Sequence, residues 1–150
     1  RGQSLVEFAL VLMPLLLLIL GIVQFGLIFN SYVTMTNAAR EGAREGTIYV
    51  YDRSRPKADN DTARNTAIRT SVLASMNLLA KTSPQFADGD LTITYALPAG
   101  VTDTETRTGQ TVTVRATYHQ DLIIPMISAL LPKDSGGRLA LPGEVTMVIN

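Results

Sequence analysis

An α+β fold is expected for this chain of 150 residues: a long N-terminal helix, apolar and then amphipathic, a second helix packed on it, and a three-stranded antiparallel sheet. Three observations predict it. Residues 8–29 form a stretch of about 22 residues without a formal charge, close to the length that crosses a bilayer's hydrocarbon core as a helix. One apolar stripe recurs at helical spacing between 62 and 82, and three later segments alternate apolar with polar residues at the period of a half-buried strand. The chain then divides at about residue 50, into a helix (1–50) and a small α+β head (51–150).

The N-terminal stretch comes first. Glu7 stands at its entrance, and no further charge appears until Arg40. A cleaved secretory signal has a shorter apolar region and small residues at its cut, so this segment is expected to be retained. Arg1 stands where an initiating Met is usual, which leads us to expect residues upstream. Glu7 is costly in hydrocarbon unless paired; it either sits at the headgroup level or is neutralised in a helix bundle by Arg1 or the N-terminal amine of a neighbouring copy. Pro14 removes a backbone donor and is expected to kink or open the helix, and Gly21 and Gly26 loosen it further. Leu16, Leu17, Ile19 and Ile22 are the large side chains expected to pack between copies, or against lipid.

From Asn30 the pattern becomes amphipathic. Ala38, Gly42 and Gly46 recur every four residues, and Ala39 and Ala43 form a second row. Such rows admit close approach of another element. The element is either a neighbouring copy or the chain's own head, and the spacing alone leaves both open. Arg40, Glu41, Arg44 and Glu45 lie beside these rows, where they can pair along or between helices.

A polar, charged connection over 51–61 ends the first helix. Asp61 or Thr62 is expected to cap the second, over 62–82, with Ala67, Ile68, Val72, Leu73, Met76, Leu79 and Ala80 as its stripe and Ser83-Pro84 as its stop. The strand signals are Leu91, Ile93, Tyr95 and Leu97; Val112, Val114, Ala116 and Tyr118, with Thr111, Thr113, Arg115 and Thr117 outward; and Val145, Met147 and Ile149. Strict alternation predicts a sheet with one packed and one wet face. Residues 122–131 are too apolar to lie open in water. They either cover an edge of the sheet or meet another subunit, and 133–137 form a turn.

No catalytic constellation is found. With 13 basic and 13 acidic residues the net charge is zero, which argues against nucleic acid as a partner. Cysteine is absent, so neither a disulfide nor thiolate chemistry is available. His119, the single histidine, has no donor at ligand spacing and reads as a surface strand residue. Asp59-Asn60-Asp61 and Asp88-Gly89-Asp90 read as a cap and a turn rather than Ca²⁺ loops, since neither continues to a closing Glu. Asn60-Asp61-Thr62 is a formal glycosylation triplet on an expected surface loop. No cofactor, no metal and no enzymatic activity are expected.

Gly2-Gln-Ser-Leu-Val-Glu-Phe8, Leu12-Met-Pro-Leu-Leu16 and Asn37-Ala-Ala-Arg-Glu-Gly-Ala-Arg44 resemble the TadE-like pseudopilins, a family of tight-adherence pili within the type IV pilus branch. The resemblance is dense over about residues 2–46 and architectural beyond. It implies a pilin-like fold, a prepilin peptidase cutting after a glycine, and a glutamate at the fifth mature position; a cut between Gly2 and Gln3 puts Glu7 there. It implies a subunit held in the inner membrane before assembly, then delivered by pilus machinery into an extracellular filament of identical copies serving adhesion or surface motility. The expected assembly residues are Glu7, Pro14, Leu16, Leu17, Ile19, Gly21, Ile22, Gly26, Ala38, Gly42 and Gly46. The competing expectation is a monomeric binding domain on a single-span tether.

Overall fold

The computed structural model describes residues 3–81, 86–102 and 104–150. Apolar and helix-permissive residues without a break produce a single helix α1, Gln3–Ile48, of 46 residues, roughly 70 Å at 1.5 Å per residue. The helix runs unbroken through Pro14, Gly21 and Gly26. Arg1, Gly2 and the bond expected to be cut lie outside the described residues.

The second helix, α2, spans Lys57–Met76 and tightens into a 3₁₀ turn, Asn77–Ala80. It begins about five residues before the expected start, because Asp61 and Thr62 are not its cap. The amide N–H groups of Asp59 and Asn60 instead donate to the Pro56 carbonyl, and Asn60 reaches back from the first turn. Its side-chain amide donates to the carbonyls of Asp52, Arg55 and Pro56 and accepts from the Asp52 N–H at 2.9 Å. Asn60 is only 2% exposed, so the glycosylation triplet sits in a helix with its amide occupied, not on a surface loop. The expected stop at Ser83-Pro84 falls outside the described residues.

Strands β1 (Leu91–Ala96), β2 (Thr111–Gln120) and β3 (Leu139–Val148) form one antiparallel sheet in the order β1-β2-β3. Register aligns Ile93 with Val114 and Val145, Tyr95 with Val112 and Met147, and Leu91 with Ala116 and Gly143. These rows make the packed face. The outer face carries the row Thr94, Thr113 and Thr146, and the row Thr92, Arg115 and Glu144. β3 starts at Leu139, earlier than the alternation from Val145 predicts, and includes Pro142 and Gly143. It is an edge strand, the place in a sheet that accommodates proline.

The C-terminal half of α1 and α2 lie against the packed face together, so α1 belongs to the core rather than merely supporting it. Met35, Ala38, Ala43, Ile68, Val72, Met76, Val112, Val114 and Ala116 form its centre. α1 lies over β2 and β3, whereas α2 faces β1, where the Tyr95 hydroxyl donates to Asn65 at 2.7 Å. Three glycines permit this approach. A Cβ on Gly42 would collide with Val72, and one on Gly46 would sit 2.8 Å from Ile68. A Cβ on Gly143 would meet the Met35 carbonyl oxygen at 2.5 Å, a backbone atom that no side-chain rotation can move. Gly143→Ala in the full chain, in detergent micelles, should therefore destabilise the head by about 1–3 kcal/mol through overpacking, read as a lower urea midpoint; an unchanged midpoint would show that the crossing relaxes freely.

Candidate assembly and membrane interface

The same helix that is buried between Met35 and Gly46 is uncovered along its N-terminal half. Leu5, Val6, Phe8, Leu10, Val11, Met13, Leu16, Leu17, Ile19, Ile22, Phe25 and Phe29 are all exposed, and even the most sheltered large residue of the expected set, Leu17, is 39% exposed. The apolar window along this helix has none of its residues buried by the chain. Pro14 and Gly26 are exposed too, and a Cβ on Gly26 would meet nothing within 4 Å. Water cannot stabilise such a surface, whose burial is worth roughly 25 cal/mol per Å². One helix of this chain is thus long and apolar enough to cross a membrane.

Glu7 is exposed and accepts a hydrogen bond from the Gln3 side-chain amide at 3.2 Å. Lower on the helix, Arg44 and Glu41 pair at 2.9 Å on the solvent side; both are exposed, where a pair of this kind adds little stability.

The expected assembly residues, Gly21 apart, therefore fall into two groups. Glu7, Pro14, Leu16, Leu17, Ile19, Ile22 and Gly26 share one uncovered segment. Ala38, Gly42 and Gly46 do not belong with them. They are buried against Ile68, Val72, Val112 and Val114 of their own chain, so of the two partners that spacing allowed, the head takes this row. Gly21 is half-buried, and a Cβ there would lie 3.7 Å from Ile127.

Two polar residues of α1 were not singled out from sequence. Gln24 is buried, and its Oε1 accepts the backbone N–H of Ile123 at 2.9 Å; its Nε2 finds no partner among the described residues. Ser31 donates to the Gln120 side chain at 2.7 Å. Both fasten α1 to the chain leaving β2. A polar residue inside an apolar run was their available signal. A short helix, α3 (Pro125–Leu130), and the residues before it lie beside α1, where Ile123 donates to Gln24 and Ile127 faces Gly21.

Elsewhere the polar side chains act as fasteners. Arg107, held at φ +60°, forks onto Asp61 with contacts of 2.7 and 2.8 Å, donates to Gln110, and stacks on the Tyr95 ring at 4.3 Å. Arg64, 2% exposed, lies over Tyr49 and donates to the Thr106 carbonyl. Together they fix the β1–β2 connection to α2. His119 is not an isolated strand residue: Nδ1 meets Asp134 at 2.5 Å and Nε2 meets Asp90 at 3.3 Å. Topology, not sequence spacing, brings both acids to it. Asp134 also accepts from the backbone N–H groups of Gly136 and Arg138, which shapes the turn before β3. Among the described residues no group of three or more donors is arranged to hold a metal ion.

Residues 2–44 match the family model described as TadE-like protein. The match covers the uncovered segment and the first buried turns of α1 and leaves the rest of the chain unmatched. No curated protein and no solved structure gives a significant match.

The guanidinium of Arg107 holds the Asp61 carboxyl below the ordinary aspartate range. A folded-state value below the unfolded one gives stability that is complete above the unfolded value, about 3.9, and is lost as pH falls through the folded one. Arg107→Gln should be less stable than the parent near neutrality, with the gap narrowing as pH is lowered past 4. Urea midpoints of the two chains across that range check this; a constant gap would mean that Arg107 acts through its stacking alone.

Proposed function

We propose that this chain, TadE-like over residues 2–44, is a structural, non-catalytic subunit that waits in the inner membrane on α1 and then polymerises through the same helix into an extracellular Tad-type pilus, serving adhesion or surface motility. Its partners are copies of itself, the lipid bilayer before assembly, the pilus assembly machinery, and a prepilin peptidase acting near Gly2. One observation carries the reading: an apolar helical surface from Leu5 to Phe29 that its own head leaves uncovered. Lipid satisfies that surface before assembly, and the corresponding faces of neighbouring copies satisfy it afterwards. Each large side chain fully buried in the exchange contributes roughly 1.5–3 kcal/mol relative to water, against the entropy lost on association.

In the head, Arg64 and Arg107 hold the β1–β2 connection to α2, and the acids around His119 close a turn. A subunit of this kind needs a rigid head and one adhesive helix. The competing reading, a monomeric tethered domain, is served by the same apolar surface and is separated from the first by experiment.

Leu17→Lys should abolish filaments while the head remains folded, shown by retained hydrogen-exchange protection of the β2 amides. Intact fibres from this variant would leave only the tether reading.

Glu7 supplies a second test. Where water is scarce an unpaired carboxylate is unfavourable, and a cation from the next copy relieves this at one axial offset, so the pair sets register. Glu7→Gln preserves shape and hydrogen bonding but deletes the charge. Membrane insertion should survive and polymerisation should fall sharply. Fibres of normal yield and subunit rise would place Glu7 at the headgroup level instead.

A further inference from the structure

Among the described side chains of the stretch 122–131, Ile124 is the buried one, and the position of the stretch on α1 is unusual. The chain leaves β2 at Gln120, which accepts the Ser31 hydroxyl, and then travels along α1 toward the N-terminus. Ile123 donates its N–H to Gln24, and Ile127 lies against Gly21. At 1.5 Å per residue, Gln24 and Gly21 lie roughly 7 and 12 Å inside Phe29, the end of the uncharged run. A head that rested wholly in water would not reach this level.

The composition fits that depth. No Asp, Glu, Lys or Arg occurs from Leu122 to Pro132. Ile123 is 70% and Leu130 81% exposed, so the side turned away from α1 is apolar as well, and it continues the uncovered surface of α1 itself. Charges resume at both ends, Asp121 pairing with Arg138 at 3.1 Å and Lys133 following the stretch. Backbone groups in hydrocarbon must find partners within the protein. Ile123 N–H finds the Gln24 side chain, while Ser128 and Leu131 donate to the carbonyls of Ile124 and Ile127. Gln24 thereby gains a reason to stand inside an apolar run: it receives a backbone donor that lipid cannot.

We propose that residues 122–131 are a second membrane-embedded element, an apolar foot that dips into the outer part of the bilayer beside α1 while the subunit is unassembled, with lipid hydrocarbon covering Ile123 and Leu130. This rests on the reading of α1 as the membrane span. The foot sets the height and tilt of the head on the membrane surface, since α1 and a second point of immersion fix a plane where a lone helix leaves the head free to roll. It is a shallow, monotopic insertion of the depth seen for interfacial helices, with the apolar face below the headgroups, and not a second crossing.

Because the chain contains no cysteine, single cysteines can be placed at will. Ile123→Cys, Leu130→Cys, Leu18→Cys and Thr113→Cys full chains are spin-labelled and reconstituted at low density in phosphatidylcholine–phosphatidylglycerol vesicles. Accessibility to oxygen, enriched in lipid, is compared with accessibility to a neutral nickel chelate, confined to water. Labels at 123 and 130 should resemble Leu18→Cys, favouring oxygen, whereas Thr113→Cys on the outer sheet face should favour the chelate. Chelate access at 123 and 130 with oxygen preference at 18 overturns the foot and leaves the span standing. Chelate access at 18 as well overturns the span, and the foot with it. Protection at 123 and 130 that disappears on further dilution in lipid overturns the proposal by identifying a second copy as the cover.

Discussion

The close crossing of α1 over the sheet at Met35 is the constraint on which the rest depends. Gly143 lets a helix backbone approach within the space that any side chain would occupy. Ala116 lies beside it in register, so the trough is two small residues wide on the strands where α1 crosses. Gly42 and Gly46 admit Val72 and Ile68 at the next turns. A single helix is thus gripped by both α2 and the sheet over the turns from Met35 to Gly46, with aliphatic side chains closing around it. Remove this grip and the head has no central element, because α2 and β1 share only one side of the sheet.

Gripping one half of a helix has consequences for the other. The head covers α1 as far as Gly21 on one face and then stops, leaving an apolar cylinder for which water is a poor environment. Polar groups along α1 follow that boundary. Ser31 and Gln24 are spent on the chain that leaves β2, Arg44 and Glu41 pair in water, and Glu7 stands alone at the far end beside Gln3. Gln24 and Ser31 therefore mark where the surroundings of the helix change.

Much of this was legible in the residues. The uncharged run, the small-residue rows and the alternation in β1 and β2 state their own geometry, since period and size are local properties. The start of α2 was not, because an Asn in a first turn looks like a breaker until its amide is seen gathering three carbonyls from the preceding loop. The first half of β3 was hidden by Pro142 and Gly143, which interrupt the alternation; only the edge position excuses the proline, and only the crossing at Met35 requires the glycine. The row Ala38, Gly42 and Gly46 announced close packing correctly but could not name its partner. The acids flanking His119, at sequence distances of 15 and 29 residues, come together through strand pairing and a turn, which no spacing rule anticipates.

An unbroken α1 also makes the connection between the head and the apolar segment a rigid shaft rather than a hinge. Each residue added or removed between Leu17 and Gly21, just beyond the head's last contact, would turn the head by about 100° and shift it by about 1.5 Å relative to everything N-terminal to the insertion. Evolution of the two halves is consequently geared. Loops of the head are free to lengthen, and the far end of the apolar run can gain or lose residues with little effect. The residue count between them sets the compass bearing of the head, and it can change only in steps that restore the original heading.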